Sequence, residues 1–178
     1  ARNQSLQYLR EDVRAEFLQA MDTAQLVAAA EKLDTDDFAD ILQQLPETIT
    51  TQVLENLDAR DRARVESVLS YPEDSAGGLM NTDTITVRPR HAIELVLRYL
   101  RLRKDLPKST DSLIVVNSVD EYVGMLPLAK LLTSDPTVTV REIMDSDVPA
   151  IHVSETDAAV AKIFSERDLI SAPVIDDK

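Results

Sequence analysis

Tyr71-Pro72-Glu73-Asp74-Ser75-Ala76-Gly77-Gly78-Leu79-Met80 is the stretch that decides how this chain is read. Before it, apolar residues recur at helical spacing; after it, β-branched runs alternate with helical segments. Pro72 cannot extend a preceding helix, because its ring fixes φ and it has no N–H to donate. Gly77-Gly78 allows positive φ or a close approach to neighbouring backbone, in a chain with only three glycines. The break predicts a linker over 72–79, after a helical domain at 1–71 and before an α/β region.

Upstream, large apolar residues mark a period of 12: Leu9, Met21, Leu33, Leu45, Leu57 and Leu69. Further apolar residues follow one and two turns on, as with Val13, Phe17 and Leu18, or Phe38, Ile41 and Leu42. Asp22, Asp34, Pro46 and Asp58 each follow a marker. Asp suits an N-cap and Pro the first helical turn, so each marker ends one helix and introduces the next. Units this short cannot bury their own faces and must stack, which predicts a small all-helical superhelix.

One unit differs in charge. Asp34-Thr35-Asp36-Asp37-Phe38-Ala39-Asp40 holds four carboxylates in seven residues. Helical spacing places Asp36 and Asp40 on one face, with Asp37 beside them. Capping and the helix dipole account for Asp34, Asp36 and Asp37. They account poorly for Asp40, since the dipole effect fades after the first turn. A divalent-cation contact is the other reading.

Downstream, Thr84–Val87 reads as a strand, Ala92–Leu100 as a helix, Leu113–Val116 and Tyr122–Leu126 as strands, and Leu128–Leu132 as a closing helix. The pattern then restarts. Ile143-Met144-Asp145 echoes Leu79-Met80-Asn81, Ala150–Val153 repeats the first strand, Ala158–Phe164 the helix, and Ser171–Asp176 the second strand. The partner of Tyr122–Leu126 does not follow, so the second unit, 137–178, reads as incomplete beside the first, 80–136. The fold class expected is α+β multidomain: an all-α superhelix followed by an α/β pair.

Composition narrows the function classes. With 44% hydrophobic and 29% charged residues the chain is a globular one rather than a disordered one. Its 32 acidic residues against 19 basic ones give a net charge of −13, which repels nucleic acid and anionic lipid and favours cations; plain solubility explains the same balance. Cysteine is absent, which excludes disulfides and thiolate metal sites and is compatible with a reducing cytoplasm. No apolar run reaches the roughly 20 residues that cross a bilayer, and no signal peptide opens the chain. The absence of an initial Met and the ending within a repeat suggest an excised fragment. His91 and His152 are isolated, no serine sits in a nucleophile elbow, and no Gly-rich phosphate loop exists. No enzyme is expected.

The tandem β-α-β-β-α pattern, with a Met-containing turn before each first strand, resembles a pair of CBS domains. YPEDSAGGLM resembles the junction that joins a helical cytosolic domain to such a pair in MgtE-type magnesium transporters, and the whole chain resembles the cytosolic part of that family. The resemblance implies a homodimeric Mg²⁺ channel, dimerised through its CBS domains, at the cytoplasmic face of the cell membrane. Its pore, absent from this chain, would close when intracellular Mg²⁺ is high. It implies Mg²⁺ held between acidic faces of the helical and CBS domains, by Asp36, Asp40 and Asp168, with Glu155 and Asp157 in a loosely aligned acidic segment. Loss of the second CBS domain's end would remove further sites and weaken the dimer. Other CBS pairs sense adenosyl nucleotides through a Ser/Thr-x-x-Asp pattern whose carboxylate receives the ribose hydroxyls. Here Pro127 and Lys130 stand at those places, which argues against a full nucleotide site. An adenosyl-nucleotide sensor regulating another transporter or enzyme is the alternative.

Overall fold

The computed structural model describes residues 21–30, 32–103, 106–107 and 110–177. The repeat unit of Leu9, Val13, Phe17 and Leu18 lies outside them. The chain divides into two compact units, Ala1–Thr82 and Asp83–Lys178.

The first unit is helical: α1 (Thr23–Ala30), α2 (Thr35–Gln43), α3 (Glu47–Asn56), α4 (Ala59–Leu69) and the short α5 (Ala76–Leu79). Two of the expected Asp caps make their bonds, while Asp34 stands at the N-cap of α2 without one. Asp22 accepts the Gln25 N–H at 2.8 Å while Gln25 Oε1 accepts the Asp22 N–H at 3.1 Å, a reciprocal capping box. Asp58 caps α4 through the N–H groups of Arg60 and Asp61. Pro46 stands one place earlier than expected, as the N-cap of α3, where its carbonyl accepts from Ile49 and Thr50. Helices pack on their next-but-one neighbours, α1 on α3 and α2 on α4, the arrangement a stack of short units requires. The marker residues serve this core: Leu45 is buried in it, and Met21, Leu33, Leu57 and Leu69 pack around Leu26, Phe38, Leu42, Val53 and Val65.

Residues 72–79, expected as a flexible linker, fold into a capped turn of this same unit. Ser75 donates through both its N–H and its Oγ to the Pro72 carbonyl, at 3.1 and 2.6 Å, and its Oγ accepts the Gly78 N–H at 3.3 Å. Ser75, Ala76, Gly77 and Gly78 are buried. Neither glycine has positive φ. A Cβ on Gly77 would run into the Tyr71 ring, and one on Gly78 into the Pro72 carbonyl. Close packing, not conformational freedom, is what these glycines supply.

The second unit contains β1 (Thr86–Val87), α6 (Ile93–Arg103), β2 (Ser112–Val116), β3 (Tyr122–Pro127) and α7 (Leu128–Thr133), then α8 (Val140–Ile143), β4 (Ile151–His152), α9 (Asp157–Arg167) and β5 (Val174–Ile175). β1 runs parallel to β2, with Thr86 opposite Ile114, and β3 closes the sheet antiparallel to β2. The repeat is visible in the second sheet, where β4 runs parallel to β5 with Ile151 opposite Val174. It is also visible in the lead-in turns: α5 and α8 are both four-residue helices, capped by Ser75 and Thr139 and ended at Met80 and Met144. The expected helix at Ala158–Phe164 is longer, Asp157–Arg167.

The core of this unit is built mainly from its first repeat, around Ile85, Val87, Ile93, Val96, Leu113, Val115, Leu126 and Leu131, with Val140 added from the start of the second. In the second repeat α9 buries no residue, and the sheet has two strands rather than three. The repeats are stitched at Gly124 (φ 154°), where a Cβ would collide with the Asp145 carbonyl. The next residue, Met125, exchanges two backbone hydrogen bonds with Asp145, at 2.8 and 2.7 Å.

Candidate functional site

α2 buries Phe38, Ala39, Ile41 and Leu42, which leaves Asp36, Asp37 and Asp40 at the margin of the packed face, all partly buried. Asp34 is the N-cap residue, but its side chain makes no capping hydrogen bond. Asp36 Oδ1 is buried with no hydrogen-bond partner. Burial pushes the Asp36 carboxyl above its ordinary value; Asp37 and Asp34 add to the rise, and backbone hydrogen bonds from Asp37 and Asp36 oppose it. A carboxylate oxygen without a donor, beside two further carboxylates, is a place where a cation is favoured.

The CBS-side residues are arranged differently. Thr156 caps α9 by accepting the Ala159 N–H, Asp157 opens the helix, and Glu155 sits in the turn before it, with its N–H on the His152 carbonyl. Asp168 ends α9 in left-handed conformation (φ 49°, ψ 43°), and Leu169 N–H closes back on the Phe164 carbonyl at 3.1 Å. Glycine or asparagine is the usual residue there, and a carboxylate at a helix C-terminus also faces the negative end of the dipole. Asp168 therefore sits at a local cost. The sequence offers only the Asp itself as a sign of this, since Arg167-Asp168-Leu169 contains no Gly or Asn.

Glu155 and Asp157 thus lie at one end of α9 and Asp168 at the other, in the second unit, while Asp36 and Asp40 lie in the first. Among the described residues no group of three or more His, Cys, Asp or Glu side chains is gathered as a metal site. His91 takes the Arg88 N–H on Nδ1, and burial together with Arg90 and Arg88 lowers its pKa. His152 contacts Ser154 and Asp177 at exposed positions. Pro127 is the N-cap of α7 and Lys130 lies within that helix. A feature missed from sequence is Asp111, whose carboxylate accepts the Ser171 hydroxyl across the two repeats, at 2.9 Å to each oxygen.

Residues 2–74 match the family model of the MgtE intracellular N domain, and residues 140–178 match that of the CBS domain. The crystal structure of the cytosolic domain of the Mg²⁺ channel MgtE in complex with ATP superposes with a TM-score of 0.89. It is 31% identical, over 98% of this chain and 72% of that one. The chain belongs to the MgtE family. It comprises the N domain and CBS region of such a transporter and is not an enzyme. The magnesium transporter MgtE of Thermus thermophilus is 33% identical over 146 residues, which is 80% of this chain and 32% of the relative. That of Bacillus subtilis is 24% identical over 149 residues, 84% of this chain and 33% of the relative. This MgtE chain spans about a third of the length of the curated relatives it matches. A soluble part of a magnesium transporter, 20% identical, shares the fold with a TM-score of 0.86. Among the described residues no helix is long and apolar enough to cross a membrane.

Proposed function

We propose that this chain is the cytoplasmic Mg²⁺-sensing region of a homodimeric MgtE-type channel, and that it closes the channel's pore when intracellular Mg²⁺ is high. Mg²⁺ bridges the acidic face of α2, through Asp36 and Asp40, to the CBS side, through Asp168 and the flanking Glu155 and Asp157. The observation that carries this reading is Asp36, a carboxylate with one buried oxygen unpartnered and its pKa raised by burial. Asp168, held left-handed at a helix C-terminus, supports it from the other unit. Mg²⁺ prefers hard oxygens and keeps several waters, so weak bridging by carboxylates of two domains suits it.

The mechanism is electrostatic. Two carboxylates about 4 Å apart repel by roughly 4 kcal/mol at an effective dielectric of about 20. Relieving a few such contacts matches the roughly 5.5 kcal/mol that a near-complete two-state shift requires. In this proposal the functional modules are 1–71, 80–136 and 137–178. The joint between the units falls at residues 80–85, which have no regular structure and contain the division at Thr82/Asp83. Small-angle scattering tests the switch. The radius of gyration should fall on going from chelator to saturating Mg²⁺ at matched ionic strength, and an unchanged radius overturns it.

ATP is the second reading, favoured by the ATP carried by the relative at 31% identity. Pro127 offers no hydroxyl and Lys130 no acceptor for ribose, so ATP should bind this chain poorly. A low-micromolar dissociation constant by calorimetry would promote the nucleotide sensor.

A further inference from the structure

The segment between α9 and β5 connects the αL residue Asp168 to the second sheet, and Ile170 within it is 86% exposed. One side chain ties it down. Ser171 Oγ donates to the Asp111 carboxylate, with both oxygens at 2.9 Å, and this bond is partly buried. Asp111 is itself fixed. It directly precedes β2, its carbonyl accepts the Leu128 N–H that opens α7 at 2.9 Å, and its Oδ2 takes a further contact from Ser112 Oγ at 3.3 Å. Asp111 thus joins the start of β2, the start of α7 and the loop that carries Asp168. Two residues of chain separate Asp168 from the anchored Ser171, three Cα–Cα steps that span at most roughly 11 Å.

We infer that Ser171 is a positioning residue for the Asp168 cation contact, and that the Ser171–Asp111 bond passes occupancy of that contact from the second CBS repeat to the first. This rests on the reading of Asp168 as a Mg²⁺ contact and adds the residue that holds it. The physical reason is order. An exposed carboxylate at the end of a helix has a loose loop after it unless something fixes the loop, and a metal contact weakens when its support is free to move. On the other side, a change in the loop pulls on Asp111 and so on the N-terminal end of α7.

The test is a Mg²⁺ titration of the chain followed by amide NMR at Asp168 and Leu169 and, across the proposed bridge, at Asp36 and Asp40. Ser171→Ala should weaken the Mg²⁺ response at Asp168 on the order of tenfold. It should shift the midpoint at Asp36 and Asp40 in parallel, because the bridging ion is shared, and remove Mg²⁺-dependent shifts at Asp111 and Leu128. Ser171→Thr, which keeps the hydroxyl, should restore all three. A bond that served folding alone would lower the melting temperature without moving the Mg²⁺ midpoint at Asp168, and that result overturns the positioning role. If Ser171→Ala unfolds the unit, Asp111→Ala, which removes the acceptor, takes its place with the same expected pattern. If Asp168→Asn weakens binding and neither Ser171→Ala nor Asp111→Ala does, the positioning role is wrong and the contact stands. If Asp168→Asn itself changes nothing, the contact falls and the positioning role with it.

Discussion

The first turns of α2 and α4 come from the same repeat, two periods apart, and they treat their charges in opposite ways. At α4, Asp58 accepts two backbone N–H groups, at 2.9 and 2.8 Å, Asp61 meets Arg64 at 3.4 Å, and Arg62 meets Glu66 at 2.8 Å. At α2, Asp34 makes no side-chain cap bond, Asp36 has an unpartnered buried oxygen, and Asp40 stands where the later repeat has Arg64. The first turn of α4 bonds its cap and pairs its charges, whereas that of α2 leaves one buried Asp36 oxygen without a partner. Similar scaffolding with different charge treatment separates a stability device from the turn proposed to meet a cation.

The largest expected difference lies in the caps. Asp58→Ala should destabilise the helical unit by about 1 kcal/mol, or up to about 2, because a bonded cap is lost. Asp34→Ala should change the melting temperature far less, since no side-chain bond is there to lose. Equal losses from the two variants in thermal melts would mean that the turns do not differ as described.

Next comes pH. The folded pKa of Asp36 is raised above its ordinary 3.8, so the folded state binds the proton more tightly than the unfolded chain does. Stability from this group is full below 3.8 and is lost as pH rises through the higher folded value. Asp36→Asn should therefore match wild type in acid and become more stable as pH rises, levelling at about 1 kcal/mol, the scale of an unsatisfied buried polar group. Asp135 and Glu142 shift the other way: hydrogen bonds from Thr137 and Thr139 lower their pKa values, and their contribution fades as pH falls. They act equally in both proteins, so the difference between the two denaturation curves isolates Asp36. A difference that stays constant across the range would remove the burial argument.

A smaller effect is expected at Asp168. Asp168→Asn keeps a residue that tolerates left-handed backbone and removes a charge from the negative end of α9. Without Mg²⁺ it should melt higher by roughly 2 °C. A lower melting temperature would show that the carboxylate stabilises the fold by itself.

Much of this architecture is legible in the sequence, for a physical reason. The twelve-residue markers and the Asp or Pro after each are local signals, and the caps at Asp22 and Asp58 follow from them. The alternation of β-branched runs and helices likewise locates every strand of the second unit to within three residues at either end. What stays illegible depends on packing. Gly77-Gly78 allows either a hinge or a close contact, and only the Tyr71 ring and the Pro72 carbonyl decide for contact. The Asp111–Ser171 bond arises from how the second repeat closes on the first, which no local window contains. At Asp36 the residue type and spacing are visible, but the unpartnered oxygen is a property of its burial.

Melting of wild type and the Asp36→Asn/Asp40→Asn variant, each in chelator and in Mg²⁺, tests the central claim most directly. In chelator the variant should melt at or above wild type, because repulsion and the unpartnered charge are removed. Mg²⁺ at ten times its dissociation constant should stabilise wild type by about 1.4 kcal/mol, and the variant should lose most of that increment. A variant that melts lower in chelator yet keeps the full Mg²⁺ increment would contradict the assignment of Asp36 and Asp40 to the cation.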